Sequence, residues 1–185
     1  RKARLKMGWP EDLFVVGLTG SFDERKGVMR LKSAVETMDG VYYACAGKGP
    51  LDPSGAKCLL SSPIDNADLP WFLSALDAFV LPTQNEGCCT ATVEAISCGL
   101  PIVSADRSFN YDICDESNSI LVDPNDIRST TAAIARLRDD DKLRAHLAKG
   151  SLDRSSSLDL KKRVASIVEW MDEKTGGAVA SSKRA

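Results

Sequence analysis

Apolar runs without polar alternation punctuate the chain, and amphipathic stretches fill the spaces between them. Phe14-Val15-Val16-Gly17-Leu18-Thr19, residues 41–46, Ala78-Phe79-Val80-Leu81, Ile102-Val103 and residues 119–122 are the main runs. A strand buried on both faces reads this way, whereas a half-exposed strand alternates. Cys58-Leu59-Leu60 adds a shorter strand. Val28, Leu31, Ala34, Val35 and Met38 recur at helical spacing and stop at Gly40. Further helices are predicted over residues 66–76, 90–98, 127–137, 142–147 and 158–171. Strands alternating with helices imply a mostly parallel sheet covered on both faces. The expected fold is therefore a three-layer, Rossmann-like α/β domain. Its ligand crevice should lie above the C-terminal strand ends, near the switch between the first strand and the 78–81 strand.

One stretch follows that 78–81 strand and organises the rest: Asn85-Glu86-Gly87-Cys88-Cys89-Thr90-Ala91-Thr92-Val93-Glu94-Ala95-Ile96-Ser97-Cys98-Gly99-Leu100-Pro101. From Gly87 to Ala105, Glu94 is the only charged residue. A helix that is apolar or small all round is expected to be buried. A carboxylate in it is costly unless paired or hydrogen-bonded. Glu94 shares a helical face with Ala91, Ala95 and Cys98, small side chains that permit close approach. Glu86 sits on the loop at the end of the strand. The N–H groups of Cys88, Cys89 and Thr90 open the helix and favour an anion. From spacing alone two readings stand together. The glutamates bind a ligand, or Glu86 is a surface residue and Glu94 a member of a structural ion pair.

The other loops are more ordinary. The 20–27 loop joins a strand to a helix and puts Arg25 and Lys26 at the helix start, but lacks the order of a P-loop. Gly47-Lys48-Gly49-Pro50 lacks the third glycine of a dinucleotide fingerprint and reads as a turn. His146 is the only histidine and lies in a polar helical pattern, which argues against a Ser-His-Asp or Cys-His relay. Asp139-Asp140-Asp141 falls between two helices and reads as N-capping aspartates. No metal site is expected. Residues 1–6, with Arg1, Lys2, Arg4 and Lys6, read as a solvated helix end.

Composition narrows the class. At 185 residues one domain with a sizeable core is expected. A net charge of −2 gives no reason to expect nucleic acid. No apolar run reaches membrane-spanning length, and no signal peptide is visible. The 6 cysteines show no C-x-x-C pair and no zinc spacing, which points to a reducing, cytoplasmic compartment. The chain begins at Arg1 without methionine, as a fragment would. Residues 175–185, with Gly176-Gly177 and Ser181-Ser182, are expected to form a flexible tail.

The pair Glu86 and Glu94, flanked by Gly87 and by Gly99-Leu100-Pro101, resembles the nucleotide-sugar signature of the retaining glycosyltransferases of family four (group one), which have the GT-B fold. The resemblance runs over nearly the whole chain. It implies that residues 1–174 form the C-terminal, donor-binding half of that fold. Residues 1–12 would be the segment arriving from the inter-domain linker, and the N-terminal acceptor domain would be absent from this chain. The implied reaction is retaining transfer of a sugar from a nucleoside diphosphate, a UDP-sugar by preference, to an acceptor hydroxyl. The setting would be bacterial surface polysaccharide or glycoconjugate synthesis, in the cytoplasm or peripheral to the inner membrane. The acceptor would be a glycan or a lipid-linked glycan, and no cofactor is implied.

By the same resemblance Glu86 and Lys26 carry the chemistry. It puts Lys26 and Gly20 at the donor diphosphate, where Arg25 would stand in for a missing arginine and the N–H groups of Cys88, Cys89 and Thr90 at the helix start would add to them. Glu86 and Gly87 hold the sugar, Glu94 the ribose, and Pro63 and Ile64 the base. The family pattern puts an arginine after the first glycine of the 20–27 loop, and this chain has Ser21 there. Two other readings stay open: a sugar phosphorylase or epimerase of the same fold, and a non-catalytic Rossmann-like binding domain.

Overall fold

The computed structural model describes residues 1–87, 89–158 and 160–175. Six strands form one sheet: β1 (Phe14–Ser21), β2 (Val41–Lys48), β3 (Cys58–Ser62), β4 (Ala78–Leu81), β5 (Ile102–Ala105) and β6 (Ser119–Val122). Every pairing is parallel, in the order β3-β2-β1-β4-β5-β6. The order runs outward in both directions from the β1–β4 neighbours, so the switch point falls where the apolar pattern put it. β4 and β5 are buried at every position, as a central parallel strand covered on both faces must be.

Among the described residues the α-helices are α1 (Lys2–Met7), α2 (Val28–Glu36), α3 (Leu69–Ser74), α4 (Thr90–Ser97), α5 (Ile127–Asp139), α6 (Asp141–Ser155) and α7 (Leu160–Thr175), with a short 3-10 turn at Ser108–Asn110. α2 packs against α5, α4 against α6, and α1 against α3. Val28, Leu31, Ala34 and Val35 form the buried stripe of α2, the same residues whose spacing predicted it. Asp140 caps α6 by accepting from the Leu143 N–H at 2.9 Å, so this part of the aspartate run does serve as a cap. Burial raises the thiols of Cys45 and Cys114, the latter to about 12, which leaves both as packing groups.

Three sequence expectations are corrected. Arg4 is not solvated. It is buried, with Nη2 2.6 Å from Asp77 Oδ2 and Nη1 3.0 Å from the carbonyls of Pro10 and Leu13. Asp77 also accepts the Val15 N–H at 2.7 Å, so this pair fastens α1 to the start of β1. The helix expected over 142–147 runs on to Ser155 as α6. Gly150 does not stop it, because that glycine faces the Ser117 carbonyl, which a Cβ would meet at 1.9 Å. Its lack of a side chain serves packing rather than termination. The expected tail also starts too early, since Thr175 still belongs to α7. Residues 176–185 lie outside the described residues. No helix among the described residues is long and apolar enough to cross a membrane.

Candidate functional site

The site gathers at the C-terminal ends of β1, β2 and β4. After β1 the chain turns through residues 22–27. Asp23 shapes this turn by accepting the Ser21 hydroxyl at 2.6 Å and the Lys26 N–H at 2.9 Å. Those bonds, the Ser21 one foremost, hold its carboxyl below the usual range. Gly27 then caps α2 with φ 77°, and a Cβ there would sit 2.5 Å from the Pro82 carbonyl. The glycine therefore lets the start of α2 close onto the loop that follows β4.

That closure brings Lys26 and Arg25 to Glu86. Lys26 Nζ lies 2.7 Å from Glu86 Oε1, and Arg25 Nη1 lies 3.0 Å from the same oxygen. Thr83, wholly buried, adds its hydroxyl at 3.1 Å. The Glu86 side chain is 8% exposed and that of Lys26 13%, while Arg25 is 47% exposed. Arg25 also reaches Asp23 at 3.7 Å. The Lys26 stem runs past Gly20, where a Cβ would be 3.4 Å from its Cε.

A cleft of 480 Å³ opens beside this cluster. Gly20, Ser21, Pro63, Ile64 and Glu94 are among the residues that line it. The structure thus brings Glu94 and the Pro63-Ile64 pair to one cavity and joins Lys26, Arg25 and Glu86 next to it. Cys89 and Thr90 start α4, with no side chain capping their end of the helix. Cys88 lies outside the described residues. Gly87 is exposed on the loop, with no atom within 4 Å of where a Cβ would stand.

Glu94 corrects the sequence reading. It was expected inside a helix buried all round, yet it is exposed to the cavity. α4 buries Thr92, Ala95 and Ile96 against the sheet and turns Thr90, Glu94 and Ser97 outward. The small residues flanking Glu94 made the outward face look like core. No described residue pairs with its carboxylate, and the protein atoms crowding it push its pKa up. A structural ion pair is therefore not its role in this structure. Arg25 reaches Glu86 as Lys26 does, although neighbouring positions need not point the same way.

Sequence reasoning missed Thr83, Lys48 and Asn66. Thr83 carries no signal beyond its position after β4. Lys48 and Asn66 both line the cleft, and Lys48 was visible only as the centre of a glycine turn. His146 is exposed on α6 and does not line this cavity. Among the described residues no cluster of three or more His, Cys, Asp or Glu is arranged to hold a metal.

A family model described as "Glycosyl transferases group 1" matches residues 1–154. The lipopolysaccharide core biosynthesis glycosyltransferase LpsD of Rhizobium meliloti (strain 1021) is 33% identical over 157 residues, which is 80% of this chain and 46% of that protein. Sucrose-phosphate synthase from Thermosynechococcus elongatus shares the fold with a TM-score of 0.83 at 22% identity, over 96% of this chain and 49% of that one. HepE of Anabaena, solved with UDP and glucose, matches with a TM-score of 0.77 at 19% identity, over 91% of this chain and 51% of that one. The chain spans about half the length of these proteins.

Proposed function

The chain belongs to the group 1 glycosyl transferases, and on that basis we propose that it is the donor-binding half of a retaining glycosyltransferase that uses a nucleoside diphosphate sugar. The observation that carries this reading is the single cavity shared by Glu94, Ser21, Pro63 and Ile64, with the Lys26–Glu86 pair beside it. A nucleoside fits between Glu94, which accepts bonds from ribose hydroxyls, and Pro63 with Ile64, which flank the base. The exposed, unpaired state of the Glu94 carboxylate supports that role. It is desolvated enough to gain from new partners and open enough to meet them.

The diphosphate extends toward Lys26, Arg25, Gly20 and the uncapped α4 start at Cys89 and Thr90. Negative charge gathers on this group as the sugar departs. Preorganised cations and N–H donors aimed at it lower the barrier. Glu86, fixed by Lys26, Arg25 and Thr83, is held ready to take the hydroxyls of the departing sugar, with Gly87 leaving room beside it. When the diphosphate arrives, it competes with Glu86 for the two cations and frees the carboxylate toward the sugar.

The acceptor would be a glycan or lipid-linked glycan, bound with the help of a domain beyond this chain. The naming of LpsD as a lipopolysaccharide core biosynthesis glycosyltransferase supports a role in surface-polysaccharide synthesis, and the UDP in the HepE structure is in keeping with a UDP-sugar donor. Calorimetry of the chain with UDP, GDP, ADP and inorganic phosphate tests the proposal. One nucleoside diphosphate should bind with micromolar affinity and phosphate should not. Binding of phosphate alone would favour a phosphorylase, and silence of all four would leave a non-catalytic domain.

A further inference from the structure

The charges around Glu86 cancel. Arg25 and Lys26 are matched by Asp23 and Glu86, and each of these four is within 4 Å of an opposite partner. A diphosphate arriving there meets a neutral cluster. The cavity wall next to it carries one further cation among the described residues, Lys48.

The Gly-Lys-Gly turn holds this lysine in place. Lys48 is the register partner of Ser21 at the last step of the β1–β2 ladder, and both line the cavity. Phe22 N–H donates to the Lys48 carbonyl at 2.9 Å. A Cβ on Gly47 would lie 1.8 Å from the Gly20 carbonyl, and one on Gly49 2.4 Å from the Phe22 carbonyl. Both glycines are thus needed for the end of β2 to lie against the end of β1, and the lysine between them cannot shift along the strand. Its side chain is exposed, and no described residue pairs with its ammonium. Ser21, by contrast, turns its hydroxyl to Asp23 and offers the cavity no charge.

We infer that Lys48 is the uncompensated cation of this cavity and binds the diphosphate of the nucleotide, supplying from β2 the positive charge that Ser21 does not supply from β1. The inference rests on the donor-binding reading above. Lys48 forms no ion pair with a described carboxylate, Glu94 of the same cavity included, so its ammonium is available to the ligand. Its interaction should weaken with salt, as exposed charge pairs do.

The test titrates wild type, Lys48→Met and the double variant Lys48→Met/Ser21→Arg with UDP, GDP and ADP, and the corresponding bare nucleosides. Lys48 is exposed, so Lys48→Met should melt with the wild type. Its affinity for the preferred diphosphate should fall about tenfold or more, the size of a lost hydrogen bond to a charged group. The nucleoside should bind both equally, and Ser21→Arg should recover most of the loss. Wild-type binding that Lys48→Met leaves unchanged overturns the inference alone. Equal losses for nucleoside and diphosphate assign Lys48 to the base and overturn it too. No binding by the wild type overturns the donor reading and this inference with it.

Discussion

Lys26 Nζ sits 2.7 Å from Glu86 Oε1, across the gap between the turn after β1 and the loop after β4. Sixty residues separate the two in sequence, and the β1–β4 switch point is what makes them neighbours. The resemblance had assigned them different parts of the donor. In the structure they hold each other.

Lys26→Ala should therefore weaken diphosphate binding more than Arg25→Ala. Both touch Glu86, but the lysine is mostly buried, while the arginine is half exposed and shared with Asp23. Solvent screens the arginine's contribution. A loss of about tenfold to a hundredfold is expected for Lys26→Ala, from roughly 1.5–3 kcal/mol per hydrogen bond to a charged group. Titrations of both variants against the same nucleoside diphosphate decide the order. A larger loss for Arg25→Ala reverses the ranking.

Arg4 gives a prediction about stability alone. Arg4→Met strands Asp77 and the carbonyls of Ala75, Pro10 and Leu13 in a mostly buried corner. Breaking a buried pair costs several kcal/mol, and Asp77 keeps some contact with water, so about 2–3 kcal/mol is expected. Urea denaturation measures it. A change below about 1 kcal/mol would mean that α1 frays from the sheet without cost.

The contrast between Arg4 and Glu94 explains what could be read from the sequence. The doubly covered parallel sheet and its switch point followed from uniformly apolar runs, because burial on both faces leaves a pattern that no exposed strand imitates. Glu86 and Lys26 were marked by glycines and by position at strand ends. Arg4 was unreadable, since a short basic run looks the same whether its middle residue faces water or Asp77. Glu94 misled in the opposite direction, because small neighbours give a helix the look of an all-round core even where one position on it faces outward. Lys48 needed the β1–β2 register, which no local pattern contains.

Gly27 and Gly40 provide a controlled pair. Both have positive φ, 77° and 69°, but only Gly27 has the Pro82 carbonyl where its Cβ would go. The backbone strain of an alanine at such a position is about 1–2 kcal/mol. Gly40→Ala should lose that amount and no more. Gly27→Ala should lose more and should also pull α2 from the site, lowering diphosphate affinity. Gly87→Ala, on an open loop, should leave stability unchanged. Chemical denaturation of the three variants checks the order, and equal losses at Gly27 and Gly40 would show the Pro82 contact to be unimportant.

Glu94 sets binding against stability. Partial desolvation raises its pKa above the ordinary 4.5, with no partner to offset it. A carboxyl whose folded pKa lies above its unfolded value contributes stability that is present below the unfolded pKa. That contribution is lost as pH rises through the folded one. At pH 7 the wild type therefore carries the cost of an ionised Glu94, a modest one because the residue is exposed to the cavity. Glu94→Gln removes the cost, so the variant should melt slightly above the wild type at pH 7, and the gap should close by pH 4. The same substitution should weaken UDP binding at pH 7 by roughly fivefold, since a neutral acceptor replaces a charged one at a difference of about 1 kcal/mol. Loss of the ribose 2′-hydroxyl should make the substitution matter less, so 2′-deoxy-UDP should lose a smaller factor. Calorimetry with the two nucleotides and melting curves at the two pH values read these effects separately. Equal losses for both nucleotides would remove the ribose from Glu94. A variant that melts no higher at pH 7 would show that the carboxylate is better solvated than its crowded position implies.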